Sequence, residues 1–203
     1  MYRRGQWLMP RIEAENIEAH VEAQNQRILD SAMQLFAARG YAGTELRHIA
    51  EAVGLARNSL YRYYPGKDQI LLACLRRDMG PSLARVHDLE EKIADPRERI
   101  FAWLKVQMDI AASVCHGAMQ MVDSLQHHSP EFLEEIGNLH EPSAATLRRA
   151  VTEVLTGSTR DPALVSKLIN SLLRTGAAAM MDGGKRQAIE TELEFSVDCI
   201  LRG

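Results

Sequence analysis

The residues whose chemistry stands out lie in the run RNSLYRYY, at positions 57–64. On a helix, Leu60 and Tyr64 share one face that can pack inward, and the polar side chains spread over the opposite side. Arginine pairs bidentately with guanine and asparagine with adenine, while serine and tyrosine hydroxyls suit phosphate oxygens. The alternative is that the tyrosines are simply core. That suits Tyr64, but it does not explain a run this polar and basic.

Charge is distributed unevenly along the 203 residues, whose net charge is −3. Residues 24–77 carry eight Lys and Arg against four Asp and Glu, a local charge of +4. Residues 1–23 sum to −1 and residues 78–203 to −6. Since phosphate attraction is a local surface effect, this pattern indicates a DNA-facing head on an acidic body. The alternative is a chance excess of basic residues in a short window.

Two short amphipathic segments precede the polar run and must position it. The first predicts a helix over residues 26–39 that ends at Gly40. The second predicts a helix that Thr44 caps and Gly54 ends. Two short helices joined by a glycine-containing turn form a helix-turn-helix, which places its second helix in the major groove of DNA. A fourth helix, opening at Lys67, is needed to close so small a core.

The remainder of the chain also has helical periodicity, with no strand-like alternation. Cap-plus-proline pairs predict helix starts at Asp95-Pro96, Ser129-Pro130 and Asp161-Pro162, and Pro142-Ser143 predicts another. We expect Gly80-Pro81 to kink or end the fourth helix. The expected fold is all-α, about nine helices, with a three-helix head and a C-terminal helical domain for ligand binding and dimerisation. The expected divisions are a flexible extension (1–23), a helix-turn-helix domain (24–75) and the helical body (76–203).

The stretch ILDSAMQLFAARGYAGTELRHIAEAVGLARNSLYRYYPGKDQILLACL resembles the N-terminal domain of the tetracycline-repressor-like (TetR) family. The resemblance covers residues 24–75, with LFAARGY, IAEAVGL and SLYRYYPGKDQIL in order and at the family spacing. It implies a ligand-responsive transcriptional regulator and not an enzyme. The implied protein is a repressor that binds a palindromic operator as a dimer and is released by a small-molecule effector. Its partners would be double-stranded operator DNA, that effector and a second copy.

The resemblance, together with the chemistry of the polar run, identifies the expected DNA contacts. Gly54 matches the turn glycine of the family. Three departures concern the contacts themselves: Ala56 replaces the usual hydroxyl cap, Asn58 stands where a small residue is common, and Glu45 would lie near phosphates. The expected DNA-binding residues are Thr44, Arg47, Arg57, Asn58, Ser59, Tyr61, Arg62, Tyr63 and Lys67.

An effector pocket is expected among the central helices, because the resembled family encloses its effector there. Ligand pockets are mostly apolar with a few polar groups that orient the ligand, and residues 101–132 have that mixture. The alternative is that the same side chains are packed core, and the sequence leaves both open. The candidates are Phe101, Trp103, Met108, Met119, Met121, His127 and His128.

A dimer interface is expected on the last two helices. The segment 162–181 is apolar on more than one side, so one side can serve its own core while the other needs a partner. Two helices from each copy would form a four-helix bundle. A larger monomeric core that covers both faces is the alternative. The expected interface residues are Leu168, Leu172, Leu193 and Val197.

Other classes of function find little support. The chain has no GxSxG, HExxH, Walker A or GxGxxG motif. The spacing of Cys115-His116, His127-His128 and His140 matches no standard zinc pattern, so we expect neither metal nor cofactor. No apolar run approaches a membrane span and no secretory signal is apparent. Three scattered cysteines suit reduced thiols in a cytoplasm. The alternative functions are a helical enzyme or a scaffold protein with a vestigial helix-turn-helix.

Overall fold

The computed structural model describes residues 11–113 and 129–203. Within these residues the fold is all-α, as the sequence predicts, with no strand and with eight helices where the sequence predicts about nine for the whole chain. The chain divides into two compact units, Met1–Leu71 (the head unit) and Leu72–Gly203 (the body unit). The helices are α1 (Arg11–Arg39), α2 (Leu46–Ala52), α3 (Arg57–Leu60), α4 (Lys67–Lys92), α5 (Pro96–Ala111), α6 (Pro130–Val154), α7 (Pro162–Met181) and α8 (Arg186–Arg202).

Helix α1 is much longer than its apolar stripe suggests. The sequence treats residues 1–23 as a flexible extension, whereas the structure is helical from Arg11. The reason is composition, because residues 11–39 contain no glycine or proline and are rich in Ala, Glu and Gln, which are good helix formers. Ile17 and Val21 are exposed. The periodicity of apolar residues therefore predicts only the part of α1 that is packed in the core.

The head unit is built around one large side chain from each of its helices. Phe36 of α1, Ile49 of α2, Leu60 of α3 and Ile70 of α4 are all buried. Helix α1 packs on α2, and α2 packs on α3. The polar run is thus attached to the core through Leu60, which leaves its other side chains free to face outward.

The turn between α2 and α3 depends on Gly54, whose φ is +69°. Its N–H donates to the Glu51 carbonyl, and the Leu55 N–H donates to the Ala50 carbonyl at 2.8 Å. These two bonds form a Schellman motif, in which the residue after the helix is left-handed and is usually glycine. The predicted turn glycine therefore sets the direction in which α3 leaves α2.

Thr44 does not cap α2, so that prediction is wrong. The Thr44 side chain is buried, and its hydroxyl lies 2.8 Å from the Gly40 carbonyl and 3.2 Å from the Leu35 carbonyl. Glu45 occupies the cap position instead, and its N–H donates to Nδ1 of His48 at 3.1 Å. The inward threonine satisfies carbonyls at the end of α1, which a sequence-local capping rule does not consider.

Helix α3 is shorter than the predicted segment 57–64. Regular helix ends at Leu60, although the Tyr64 N–H still donates to the Leu60 carbonyl at 3.0 Å. Pro65 prevents the helix from continuing past Tyr64, because a proline disfavours helical backbone in the residue before it. At the other end, Ala56 contributes no side-chain cap, as expected for alanine.

Three predicted helix starts in the body unit are confirmed by their capping bonds. Asp95 accepts from the Arg97 N–H and Asp161 from the Ala163 N–H, both at 2.8 Å. Ser129 accepts from the Phe132 N–H at 3.2 Å. Gly183 follows α7 with a left-handed φ of +89°, which suits glycine.

Two prolines lie inside helices and do not end or start them. Pro142 lies within α6, so the helix start expected there is wrong. Pro81 lies within α4, so of the two outcomes expected at Gly80-Pro81 a helix end is wrong and a kink stays a prediction. An interior proline loses one hydrogen bond and costs about 3 kcal/mol. Buried residues on either side, Met79 and Val86 in α4, hold the helix in place despite that cost.

The core of the body unit is centred on α5, which packs on α6, α7 and α8. Trp103 is 2% exposed, and its indole N–H points to the carbonyl and hydroxyl oxygens of Ser143, each at 2.9 Å. The Ser143 hydroxyl also accepts from the Gln107 amide at 2.6 Å. Among the described residues, none of the helices is both long enough and apolar enough to cross a bilayer.

Candidate nucleic-acid interface

Side chains of α3 and the turn after it form the exposed polar surface of the head unit. Arg57, Asn58, Tyr61 and Arg62 are exposed, and Ser59 is half-buried. They reach this surface because Leu60 takes the inward position of the same turn. The structure therefore brings together most of the residues expected to contact bases. We call the surface formed by residues 57–62 the α3 surface.

Arg57 and Tyr61 interact directly on this surface. The Nη2 of Arg57 donates to the Tyr61 hydroxyl at 2.9 Å. The guanidinium carbon also lies 5.5 Å from the centre of the Tyr61 ring, within range of a cation–π interaction. The spacing is one helical turn, so both side chains extend from the same side of α3.

Arg47 extends from α2 and is paired with a carboxylate. Its Nη2 lies 3.0 Å from Oε1 of Glu45, and both side chains are more than half exposed. An exposed pair of this kind contributes little to stability. It leaves Arg47 accessible to a phosphate, with Glu45 as a competing anion.

Lys67 lies at the start of α4, and its ammonium has partners within the head unit. Nζ donates to the carbonyls of Tyr41 at 2.7 Å and Thr44 at 2.9 Å. It also lies 4.0 Å from the centre of the Tyr41 ring. Burial lowers the pKa of Lys67, and the nearby charge of Glu45 partly opposes that shift. Lys67, which the family resemblance implies to contact phosphate, therefore already donates to two carbonyls within the head unit.

The remaining expected DNA contacts have different surroundings. Tyr63 is half-buried in the turn that follows α3. Thr44 is fully buried, so its side chain offers no exposed polar atom to DNA. The sequence reasoning missed two anchors: Tyr64 donates to Oδ1 of Asn25 at 2.5 Å, and the Tyr41 hydroxyl donates to Asp68. The two residues of each hydrogen bond are 39 and 27 positions apart in the sequence, which is too far for a local sequence pattern to predict the contact.

The expected effector pocket is only partly within the described residues. Trp103 and Met108 are buried and Phe101 is half-buried, as packed core residues would be. Met119, Met121, His127 and His128 lie outside the described residues. Three cavities of the described part are lined by other residues: one of about 610 Å³ beside α6 and the start of α7, one of about 400 Å³ at the ends of α5 and α7, and one of about 350 Å³ between α7 and α8.

The expected dimer residues are divided between core and surface. Leu168 is exposed and Leu172 half-buried on α7. Leu193 and Val197 are buried within a single copy of the body unit, and Leu193 also lines the cavity between α7 and α8, so their place at an interface stays a prediction. They face inward because the apolar stripe of α8 that sequence periodicity detects is the one packed on α5 and α7. The large apolar side chain that α8 exposes is Phe195, which sequence reasoning missed.

No group of three or more His, Cys, Asp or Glu side chains suited to a metal ion occurs in the described part of the chain. Cys115, His116, His127 and His128 lie outside it, so the expectation that they bind no metal stays a prediction from the sequence. His140 lies within α6.

Residues 28–74 match the protein family described as bacterial regulatory proteins, tetR family. The fold is similar to that of PfmR, a TetR family transcriptional regulator from Thermus thermophilus, with a TM-score of 0.65 and 28% identity. That similarity covers 87% of this chain and 98% of PfmR. Residues 28–74 are thus a region of the TetR family. The family match covers the helix-turn-helix, and TetR proteins are regulators rather than enzymes.

Two further comparisons extend the likeness beyond the matched region. A transcriptional repressor from Mycobacterium tuberculosis, Rv1474c, is 30% identical over 108 residues, which is 51% of this chain and 55% of the repressor. The chain spans about half the length of the curated relatives it matches. A transcriptional regulator from Saccharomonospora viridis, solved in complex with choline, has the same fold, with a TM-score of 0.72 and 20% identity. That similarity covers 88% of this chain and 96% of the S. viridis protein.

Proposed function

We propose that this chain is a transcriptional regulator whose helix-turn-helix domain, residues 24–75, binds duplex DNA through the α3 surface. The observation that carries the proposal is the exposed group of Arg57, Asn58, Tyr61 and Arg62 on a helix-turn-helix whose turn is set by Gly54. The local charge of +4 over residues 24–77 supports it, because DNA binding draws most of its affinity from phosphate attraction. The M. tuberculosis relative is a repressor by name, and we propose repression here as well.

The residues on and around the α3 surface divide into two proposed roles. Arg57 and Asn58 lie in the first turn of α3, where recognition helices meet base edges. Arginine can read guanine through two donors, and asparagine can read adenine through its amide. Arg62, Tyr63 and Arg47 flank that turn and suit phosphate oxygens, which position a protein on DNA without carrying sequence information.

We propose that the functional form is a homodimer joined through the outer face of α7 and α8. Leu164 and Leu168 of α7 and Phe195 of α8 are exposed on the body unit. The 350 Å³ cavity is lined by residues of the same two helices. A two-fold axis presents the same surface on both copies, and we propose that the Phe195 ring of each copy enters the other's cavity.

The charges of the two helices support this arrangement. Helix α7 carries Lys167 and Arg174 and no acidic residue. Helix α8 carries Glu192 on its exposed side. None of these three has an ion pair among the described residues, so an α7 that meets the α8 of a second copy would pair opposite charges across the interface. Two-fold symmetry then requires an operator made of inverted half-sites.

We also propose that a small molecule binds the body unit and lowers DNA affinity. Support comes from the S. viridis structure, which holds choline in the same fold. The mechanism requires that the effector prefer a conformation in which the two heads no longer match the half-site spacing. Helix α4 begins in the head unit and ends in the body unit, so it is the covalent path for the change. A coupling of ~1–3 kcal/mol would alter DNA affinity about 5–150-fold.

The deciding experiment is selection of bound sequences from random duplex DNA with the full chain. We expect an enriched palindrome. Arg57→Ala should then lose about 1–3 kcal/mol of discrimination at one base pair of each half-site. Recovery of no preferred sequence would contradict the proposal, and so would an Arg57→Ala variant with unchanged affinity and base preference.

The effector proposal is tested in the Trp7→Phe variant, in which Trp103 is the only tryptophan. A chemically broad set of small molecules, beginning with choline, is titrated while indole fluorescence and operator binding are followed together. We expect one compound to change the fluorescence and release the operator over the same concentration range. A fluorescence change that leaves operator binding intact would contradict the regulatory part of the proposal.

A further inference from the structure

The contact between Arg57 and Tyr61 gives Tyr61 a role beyond a hydroxyl that touches phosphate. Two interactions hold the arginine, a 2.9 Å hydrogen bond to the tyrosine hydroxyl and the 5.5 Å approach of the guanidinium to the ring. No ion pair to Arg57 occurs among the described residues. Tyr61 is thus the neighbour that fixes the position of the guanidinium when DNA is absent.

Such a contact leaves the base-reading capacity of the arginine intact. A guanidinium has five N–H donors, and the hydroxyl of Tyr61 accepts only one of them. The remaining donors still include a parallel pair of the kind that guanine O6 and N7 accept. A free arginine loses rotamer freedom when it docks, whereas an arginine already held in place loses less. The hydroxyl proton of Tyr61 is not used in this contact and stays available.

We propose that Tyr61 is a positioning residue that acts through Arg57, so that it sets preference at the base pair that Arg57 reads. This rests on the proposed function, because it concerns which sequence the α3 surface selects. A phosphate contact has a different signature: its loss weakens binding to every sequence alike. The two roles therefore predict different results in a variant that lacks Arg57. Loss of the Tyr61 hydroxyl has little further effect there if Tyr61 acts through Arg57, and keeps its full effect if Tyr61 contacts phosphate.

The test is a double-mutant cycle in the full chain with Tyr61→Phe, Arg57→Ala and the double variant. Tyr61→Phe removes the hydroxyl and keeps the ring at an exposed position, so folding is preserved. Affinity is measured for the selected operator and for its single-base variants. We expect Tyr61→Phe to weaken operator binding about threefold to tenfold and to reduce preference mainly at one base pair, within the range of coupling between contacting residues. In the Arg57→Ala background the same change should have an effect below about twofold.

Tyr63→Phe is the matched control, since Tyr63 lies two residues further on and has no described contact with Arg57. Its effect should be equal in the two backgrounds and even across sequences. The proposal is overturned if Tyr61→Phe behaves like this control. Failure of the proposed function is recognised separately, as wild-type protein that selects no duplex sequence, and that result overturns this proposal too.

Discussion

The ammonium of Lys67 binds the carbonyls of Tyr41 and Thr44 and lies against the Tyr41 ring. These contacts tie the start of α4 to the turn between α1 and α2. A side chain that the family resemblance assigns to phosphate thus has a second role, which is to hold the segment that leads into the helix-turn-helix. The two roles predict different salt dependence, because only a phosphate contact releases counterions from DNA.

We expect Lys67→Met to lower head-unit stability and DNA affinity while leaving the slope of log affinity against log salt concentration unchanged. Arg62→Ala is the matched control, because Arg62 is exposed and has no described ion pair. Its loss should reduce the magnitude of that slope by about 1. Binding titrations at several salt concentrations measure both slopes. A reduced slope for Lys67→Met would show that Lys67 contacts phosphate after all.

At the scale of elements, the α2–α3 turn depends on one left-handed residue. Gly54 has a φ of +69°, and a Cβ added there would meet no atom within 4 Å. Any effect of a substitution is therefore due to the backbone and not to crowding. Gly137 gives the opposite case, since it lies inside α6, has no left-handed φ and has the same open surroundings.

We expect Gly54→Ala to destabilise the head unit by about 1–2 kcal/mol, the cost of a left-handed alanine. Gly137→Ala should instead stabilise the body unit by about 0.5–1 kcal/mol, because alanine loses less backbone freedom in a helix. Amide hydrogen exchange resolves the two units in one experiment. Equal protection of the head amides in wild type and Gly54→Ala would contradict the assigned role of the turn.

Three helices of the body unit meet at one carboxylate. Asp109 of α5 accepts from Arg186 of α8 and from Arg85 of α4, both at 2.7 Å. The hydrogen bond from Arg186, followed by that from Arg85, lowers the pKa of Asp109 below 3.8 against the effect of burial. The unfolded chain thus holds this proton at a higher pH than the folded one, so folding favours the ionised carboxylate.

The stabilisation from Asp109 is therefore fully present above its unfolded pKa and is lost as pH falls through the lowered folded value. We expect Asp109→Asn to be less stable than wild type at pH 7 and to lose less stability between about pH 5 and pH 3. Urea denaturation at each pH measures the difference. Glu91→Gln, at an exposed carboxylate with no described ion pair, should follow the wild-type pH profile. An Asp109→Asn profile parallel to wild type would contradict this account.

At the scale of the whole molecule, the exposed apolar face of α7 and α8 is the feature that a single copy leaves uncovered. Leu168 and Phe195 are 46% and 66% exposed. Leu133 of α6 is exposed to a similar degree, at 54%, but lies outside that face. This gives a matched set of apolar positions with which to locate the interface between copies.

We expect Leu168→Glu and Phe195→Glu each to convert a dimer into monomers, because a carboxylate would be buried without a partner. Leu133→Glu should remain dimeric. Light scattering at micromolar concentration gives the mass, where a particle of 22.7 kDa is one chain. Operator affinity should fall with dissociation, since two half-sites bound together exceed the affinity of one. A monomeric wild type, or three variants with the same mass, would contradict the proposed interface.

Local chemistry alone was enough to predict much of this protein. The caps at Asp95, Ser129 and Asp161 and the turn at Gly54 were predictable, because each depends on a residue and its near neighbours. The inward position of Leu60 followed from helical periodicity for the same reason. The all-α class and the location of the polar run were therefore determined by the sequence itself.

Tertiary contacts decided the rest, because the relevant partners are distant in sequence. The inward turn of Thr44 depends on carbonyls at the end of α1, and the contacts of Lys67 depend on a turn more than twenty residues away. Buried neighbours keep Pro142 inside α6, against its local preference. Periodicity detects the α8 stripe that contains Leu193 and Val197, but only packing on α5 and α7 decides that this stripe is buried within one copy and that Phe195 stays at the surface.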